Sequence, residues 1–155
     1  MNKRGSITET TSVTILLFLL GVSTYALIAA GYGSFNRMNK LRDESLNTRV
    51  AINYISMQIR RSGTAGSVRV DDTPRGTCLV LSENINGENY ETRIYLYNGY
   101  LQESFVPAGT PFNEKYGFEI IQLDSFNIKL DNNVITIELS GGANRRSMKL
   151  TLMAA

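Results

Sequence analysis

Between Thr10 and Asn36 the chain carries no charged residue, and Val13 to Ala30 is almost wholly apolar. Extended to Gly33, this stretch reaches the roughly 20 residues that a helix needs to cross a bilayer. Val13, Ile15, Leu16, Leu17, Phe18, Leu19 and Leu20 are its expected membrane-anchoring residues, in contact with lipid. Lys3 and Arg4 precede the run, which favours a cytoplasmic N-terminus and a single pass through the cytoplasmic membrane with the rest outside. Arg37, Lys40 and Arg42 follow it and weaken a simple charge argument. Two plain readings compete. One is a secretory signal peptide cut after Ala30, against which stand a long apolar core and Ile28 three residues before the cut. The other is an ordinary single-span anchor. Neither accounts for Gly5 and Glu9.

The formal net charge is +2, unevenly spread. From residue 62 onward eleven acids face eight bases, which argues against a nucleic-acid-binding face in that half. The chain has no histidine, so a Ser-His-Asp triad, a histidine-containing zinc site and a histidine pH switch are excluded. One cysteine cannot close an internal disulfide. Cys78 sits in the apolar run "TCLVLS" and reads as a small core residue. There is no nucleotide loop and no paired set of metal ligands, so the expectation is a non-enzyme without cofactor. Asp71-Asp72 is a candidate carboxylate pair, and Asp131-Asn132-Asn133 imitates part of a calcium loop. The glutamate at the twelfth place is missing, and a turn explains the asparagines.

The helical pattern continues beyond the apolar run. "SFNRMNKLRDESLNTRVAINYISMQIRRSG" has no proline and no glycine before Gly63. Met38, Leu41, Ser45, Thr48, Ile52, Ile55 and Ile59 recur at helical spacing on one face. Arg60 and Arg61 suit the last turn and Gly63 the C-cap. One helix, about Thr8–Ser62, is predicted, with Gly21, Gly31 and Gly33 as places to bend.

After residue 63 the period becomes two. Asn98-Gly99 predicts a type I′ hairpin with Leu96 facing Leu101, and Ile94 and Phe105 on the same face. A turn at Asn132-Asn133 sets Leu130 against Ile135, Ile128 against Ile137 and Phe126 against Leu139. A looser loop over 141–146 then brings Met148, Leu150 and Leu152 to that face. The helix face Thr48–Ile59 is expected to cover it. Residues 63–77 and 105–118 read as loops. Phe112, Tyr116 and Phe118 are expected to pack on the sheet, the alternative being an exposed contact surface. Tyr95, Tyr97 and Tyr100 are placed on its outer face, as cross-strand packing or a partner surface.

"KRGSITE" followed by an apolar helix resembles the prepilin N-terminus of type IV filament subunits. In that family a short basic leader ends in glycine, a prepilin peptidase cuts after it, and the new terminus is usually methylated. The resemblance implies cleavage between Gly5 and Ser6 and an assembly role for Glu9. Ser6 stands where the family usually has phenylalanine, and Glu9 would be fourth in the mature chain rather than the usual fifth. Glu9 then pairs with a neighbour's new α-amine, or closes a capping box with Ser6; both remain open. "RVAINYISMQIRRSG" loosely resembles the matching helix of minor pseudopilins.

The expected fold is α+β and pilin-like: a long N-terminal helix, half membrane-spanning and half amphipathic, packed on an antiparallel β-sheet head. Its parts are a leader over 1–5, a transmembrane half over 6–33, an amphipathic half over 34–62 and a β-rich head over 63–155. The implied function is a structural subunit, a minor pilin or pseudopilin, of a type IV filament, secretion pseudopilus or DNA-uptake machine. The implied partners are other pilin-like subunits, the prepilin peptidase, an inner-membrane assembly platform and lipid. The alternative is an uncleaved single-span protein with an extracytoplasmic β-rich binding or sensor domain.

Overall fold

The structure, a computed structural model, describes residues 3–62 and 65–153. Side chains are described for all of these except residues 3–10, 33–37, 39–45 and 65. The chain is α+β: helix α1 (Lys3–Ser62) is followed by antiparallel strands β1 (Val68–Thr73), β2 (Gly76–Ile85), β3 (Glu88–Tyr97), β4 (Tyr100–Pro107), β5 (Phe118–Gln122), β6 (Ser125–Asp131), β7 (Val134–Gly141) and β8 (Asn144–Thr151). It divides into two compact units, Met1–Lys40 and Leu41–Ala155. The expected cap at Gly63 lies outside the described residues.

Turn chemistry sets the strands of the second unit. Asn86-Gly87, Asn98-Gly99 and Asn132-Asn133 all take positive φ at both central positions. That conformation matches the twist of a two-residue hairpin, and asparagine and glycine tolerate it best. The registers follow: Leu96 pairs with Leu101, and Leu130, Ile128 and Phe126 pair with Ile135, Ile137 and Leu139. Ile137 and Ile135 continue across to Met148 and Leu150. That turn is tighter than the loop expected over 141–146. β7 ends at Gly141 and β8 begins at Asn144, because Gly142 takes φ +58° and closes the connection in two residues.

Two sheets form, in orders β1-β2-β3-β4-β5 and β6-β7-β8. β1 corrects the expectation of a loop over 63–77: Val68 and Val70 pair with Leu81 and Leu79 and complete the larger sheet. The outer edge of β6 meets the start of β2, where the Ile128 amide donates to Thr77 Oγ1 at 3.0 Å. Both sheets turn one apolar face to the last turns of α1. Ala51, Ile52, Ile55 and Ile59 share a single core with Leu79, Ile94, Leu101, Ile128, Ile135, Ile137 and Leu139. Tyr54 on α1 donates a short hydrogen bond to Glu103 on β4, and Gln58 Nε2 donates to Tyr54 Oη at 2.9 Å. Of the expected helix face, Thr48, Ile52, Ile55 and Ile59 are buried and Met38 is exposed. Phe105 shares the face of Ile94 but lies outside the core, stacked on Tyr90 with ring centroids 5.1 Å apart.

Candidate functional site

The first unit presents an apolar surface. Thr11–Tyr32 forms 22 residues of helix, long and apolar enough to cross a membrane. At ~1.5 Å per residue that is about 33 Å, against a hydrocarbon layer of ~30 Å. Val13, Ile15, Leu16, Leu17, Phe18, Leu19 and Leu20 are all exposed within the unit. The hydroxyls in this stretch are partly self-satisfied: Ser23 Oγ and Thr24 Oγ1 donate to the carbonyls of Leu19 and Leu20, each at 2.8 Å. A hydroxyl bonded back to its own helix carries a smaller desolvation cost in lipid. Leu17, Phe18, Gly21, Val22 and Tyr25 line a shallow groove along the helix. Gly5, Ser6 and Glu9 fall within the helical backbone of α1, and their side chains lie outside the described residues.

The second unit holds a feature that the sequence reading did not find. The face of the larger sheet turned away from α1 is covered by residues 108–117. Tyr95 is buried there with Cys78 and Val80, its ring edge-on to Phe112 at 5.0 Å, and its hydroxyl donates to the Glu114 carbonyl at 3.2 Å. Beside them lie Glu91 and Arg93, 5% and 7% exposed. Arg93 donates through Nε and Nη2 to one Glu91 oxygen at 3.0 and 2.7 Å, and through Nη2 to the Thr110 carbonyl at 2.6 Å. Arg69 reaches the other Glu91 oxygen at 2.9 Å. Burial would raise the Glu91 carboxyl, but hydrogen bonds from Arg69 and Arg93 outweigh it and hold it below the usual carboxylate range. Burial pushes the Cys78 thiol up to about 12, so it stays protonated and unreactive at neutral pH, in keeping with a core role.

Placement decides the other expectations. Asp71 and Asp72 occupy successive strand positions and so point to opposite faces. Asp71 accepts two hydrogen bonds from Arg69 Nε, at 3.1 and 3.0 Å, and the two carboxylates are not a pair. Asn132 and Asn133 serve the β6–β7 turn. Among the described residues, no three His, Cys, Asp or Glu side chains gather in a way that would hold a metal ion. Tyr116 and Phe118 do not pack on the sheet as expected; they are 71% and 80% exposed.

Gly117 lets the covering loop close. Its φ of −82° is available to any residue, so the requirement is space. A Cβ there would stand 2.5 Å from Tyr95 Oη and 2.8 Å from Gln102 Oε1, a buried oxygen with no hydrogen-bond partner among the described residues. Gly117→Ala is expected to lift the loop and cost about 1–3 kcal/mol. Thermal unfolding would show a lower midpoint, and amide exchange a local rise at 108–117. An unchanged midpoint with unchanged exchange would mean that the loop does not close on Tyr95.

Residues 46–142, more than half of the chain, match the family described as Domain of unknown function (DUF4860). No curated protein and no solved structure matches the chain.

Proposed function

We propose that this chain, which belongs to the DUF4860 family, is a minor pilin or pseudopilin: a structural subunit of a type IV filament, secretion pseudopilus or DNA-uptake machine. The observation that carries the reading is one helix with two jobs. Its Thr11–Tyr32 stretch is apolar and of bilayer length, while its last turns, Ala51 to Ile59, are built into the core of an antiparallel β unit. A β unit made in this way is anchored by the same element that fills its core. The leader order Lys3-Arg4-Gly5 before Ser6 and Glu9 supports processing by a prepilin peptidase. Insertion through the cytoplasmic membrane, cleavage after Gly5 and helix packing among pilin-like subunits on an assembly platform follow from it. Glu9 is then the carboxylate that a neighbour's new α-amine neutralises. Methylation of Ser6 belongs to the same proposal.

Processing is the direct test. Co-expression with a prepilin peptidase should yield a mature chain starting at Ser6 by mass spectrometry. Gly5→Leu should abolish the cut and leave membrane insertion intact. Glu9→Ala should be cleaved and inserted normally, yet co-purify poorly with partner subunits. An intact leader would leave the uncleaved membrane-anchored binding or sensor protein as the better description, and a cut near Ala30 would instead show a secretory signal peptide and overturn the filament reading.

A further inference from the structure

We propose that the β unit binds a second copy of itself by strand addition, with β5 of one copy laid along the free edge of β8 of the next. Among the described residues β5 and β8 each have a ladder partner on one side only, and an open edge presents a row of backbone donors and acceptors to another strand. Beside β8 runs a groove of about 410 Å³ lined by Ile59, Arg60, Lys149, Leu150, Leu152 and Met153. Thr151 lines it as well, and apart from backbone, that hydroxyl and the two cations the lining is apolar. The exposed residues of β5 fit it: Phe118 is a large apolar side chain left in solvent, and Glu119, the only charge on that strand, is exposed beside it.

Strand geometry makes the two matches compatible. In an antiparallel pair with Glu119 opposite Lys149, Phe118 falls opposite Leu150. Alternation then sends Phe118 to the side of the groove and Glu119 to the outer side, where Lys149 is exposed. The bulge between Leu101 and Gln102 interrupts the β4–β5 register after Glu119, so the match is confined to Phe118 and Glu119. Charge also rejects the symmetric alternatives. A β8–β8 pair centred on Ser147 would set Arg145 of each copy against Lys149 of the other, and a β5–β5 pair centred on Glu119 would set Glu119 against Glu119. The favoured contact is therefore head-to-tail. It leaves one free β5 and one free β8 at the ends of any row of copies, so it propagates. The contact goes beyond assembly through the membrane helices and does not depend on cleavage at Gly5.

The test uses the full chain in detergent micelles. Glu119→Cys and Lys149→Cys proteins are oxidised separately and mixed, with the wild type as control for the buried Cys78. The mixture should give disulfide-linked dimers at about ten times the yield of either variant alone. Equal yields in all three samples, or none above the wild type, would overturn the proposal. Sedimentation of Glu119→Lys, Lys149→Glu and the double exchange provides a second reading. Each single variant should self-associate about tenfold more weakly, and the double exchange should recover. Singles that match the wild type, or a double that stays weak, would also overturn it. Neither measurement reads the N-terminus, so failure here and failure of the filament reading are separate results.

Discussion

Ile137→Asp is expected to unfold the β unit, and Thr136→Asp to leave it folded. The two residues are neighbours on β7 and point to opposite faces. Ile137 is fully buried between Ile128 and Met148 and belongs to the core that includes Ile52 and Ile55 of α1. A carboxylate there has no cation within the apolar core. Burying it, or distorting the core to expose it, costs at least about 4 kcal/mol, a large part of the 5–15 kcal/mol that holds an ordinary domain together. Thr136 lies on the other face, directly between Lys129 and Lys149 on the flanking strands. An aspartate at that point gains two cross-strand cations, and its expected effect runs from neutral to about 0.5 kcal/mol stabilising. Urea unfolding followed by circular dichroism compares the two. Equal destabilisation would mean that the outer face of the small sheet is covered.

What could be read from the sequence is the part governed by local rules. The Asn132-Asn133 turn fixes where β6 ends, and alternation then dictates all three β6–β7 core pairs. The helix face Thr48–Ile59 is legible because its period and that of the strands point to one apolar interior. Asn86-Gly87 carries the same signal as Asn98-Gly99, and reading it would have predicted the β2–β3 hairpin. β1 is harder to find: "VRVDDT" sits among glycine, threonine and proline, and only its pairing with β2 makes it a strand. The outer face of β3 was beyond local reading. Glu91 and Arg93 alternate with Thr92 and Ile94 in the way a solvated face does. Their burial comes from residues 108–117, about 20 positions along the chain, and nothing near Glu91 in sequence announces that cover. Gly117 is similarly silent, since its φ is ordinary and its role is to leave room for Tyr95 and Gln102.

Removing the Glu91 carboxylate is expected to cost about 3 kcal/mol or more and to change how the protein responds to acid. Glu91→Gln leaves the buried Arg93 guanidinium with the Thr110 carbonyl but without its ion partner, and breaking a buried pair by deleting one member costs about 3–5 kcal/mol. Glu83→Gln is the control. Its contact with Arg61 is 3.9 Å and solvent-exposed, so the loss should stay below about 1 kcal/mol. The pH dependence follows from the sign of the shift. Glu91 is held below its ordinary value of 4.5 in the folded chain, so the unfolded chain takes up the proton first. Its stabilising contribution is therefore fully present above about pH 4.5 and is lost as the pH falls through the lower folded value. In the wild type, this contribution to stability should fall away as the pH drops below about 4.5. In Glu91→Gln that part of the slope should vanish, so that the gap between the two curves narrows in acid. Parallel curves across the whole range would show that Glu91 is not the group whose protonation loosens the covered face.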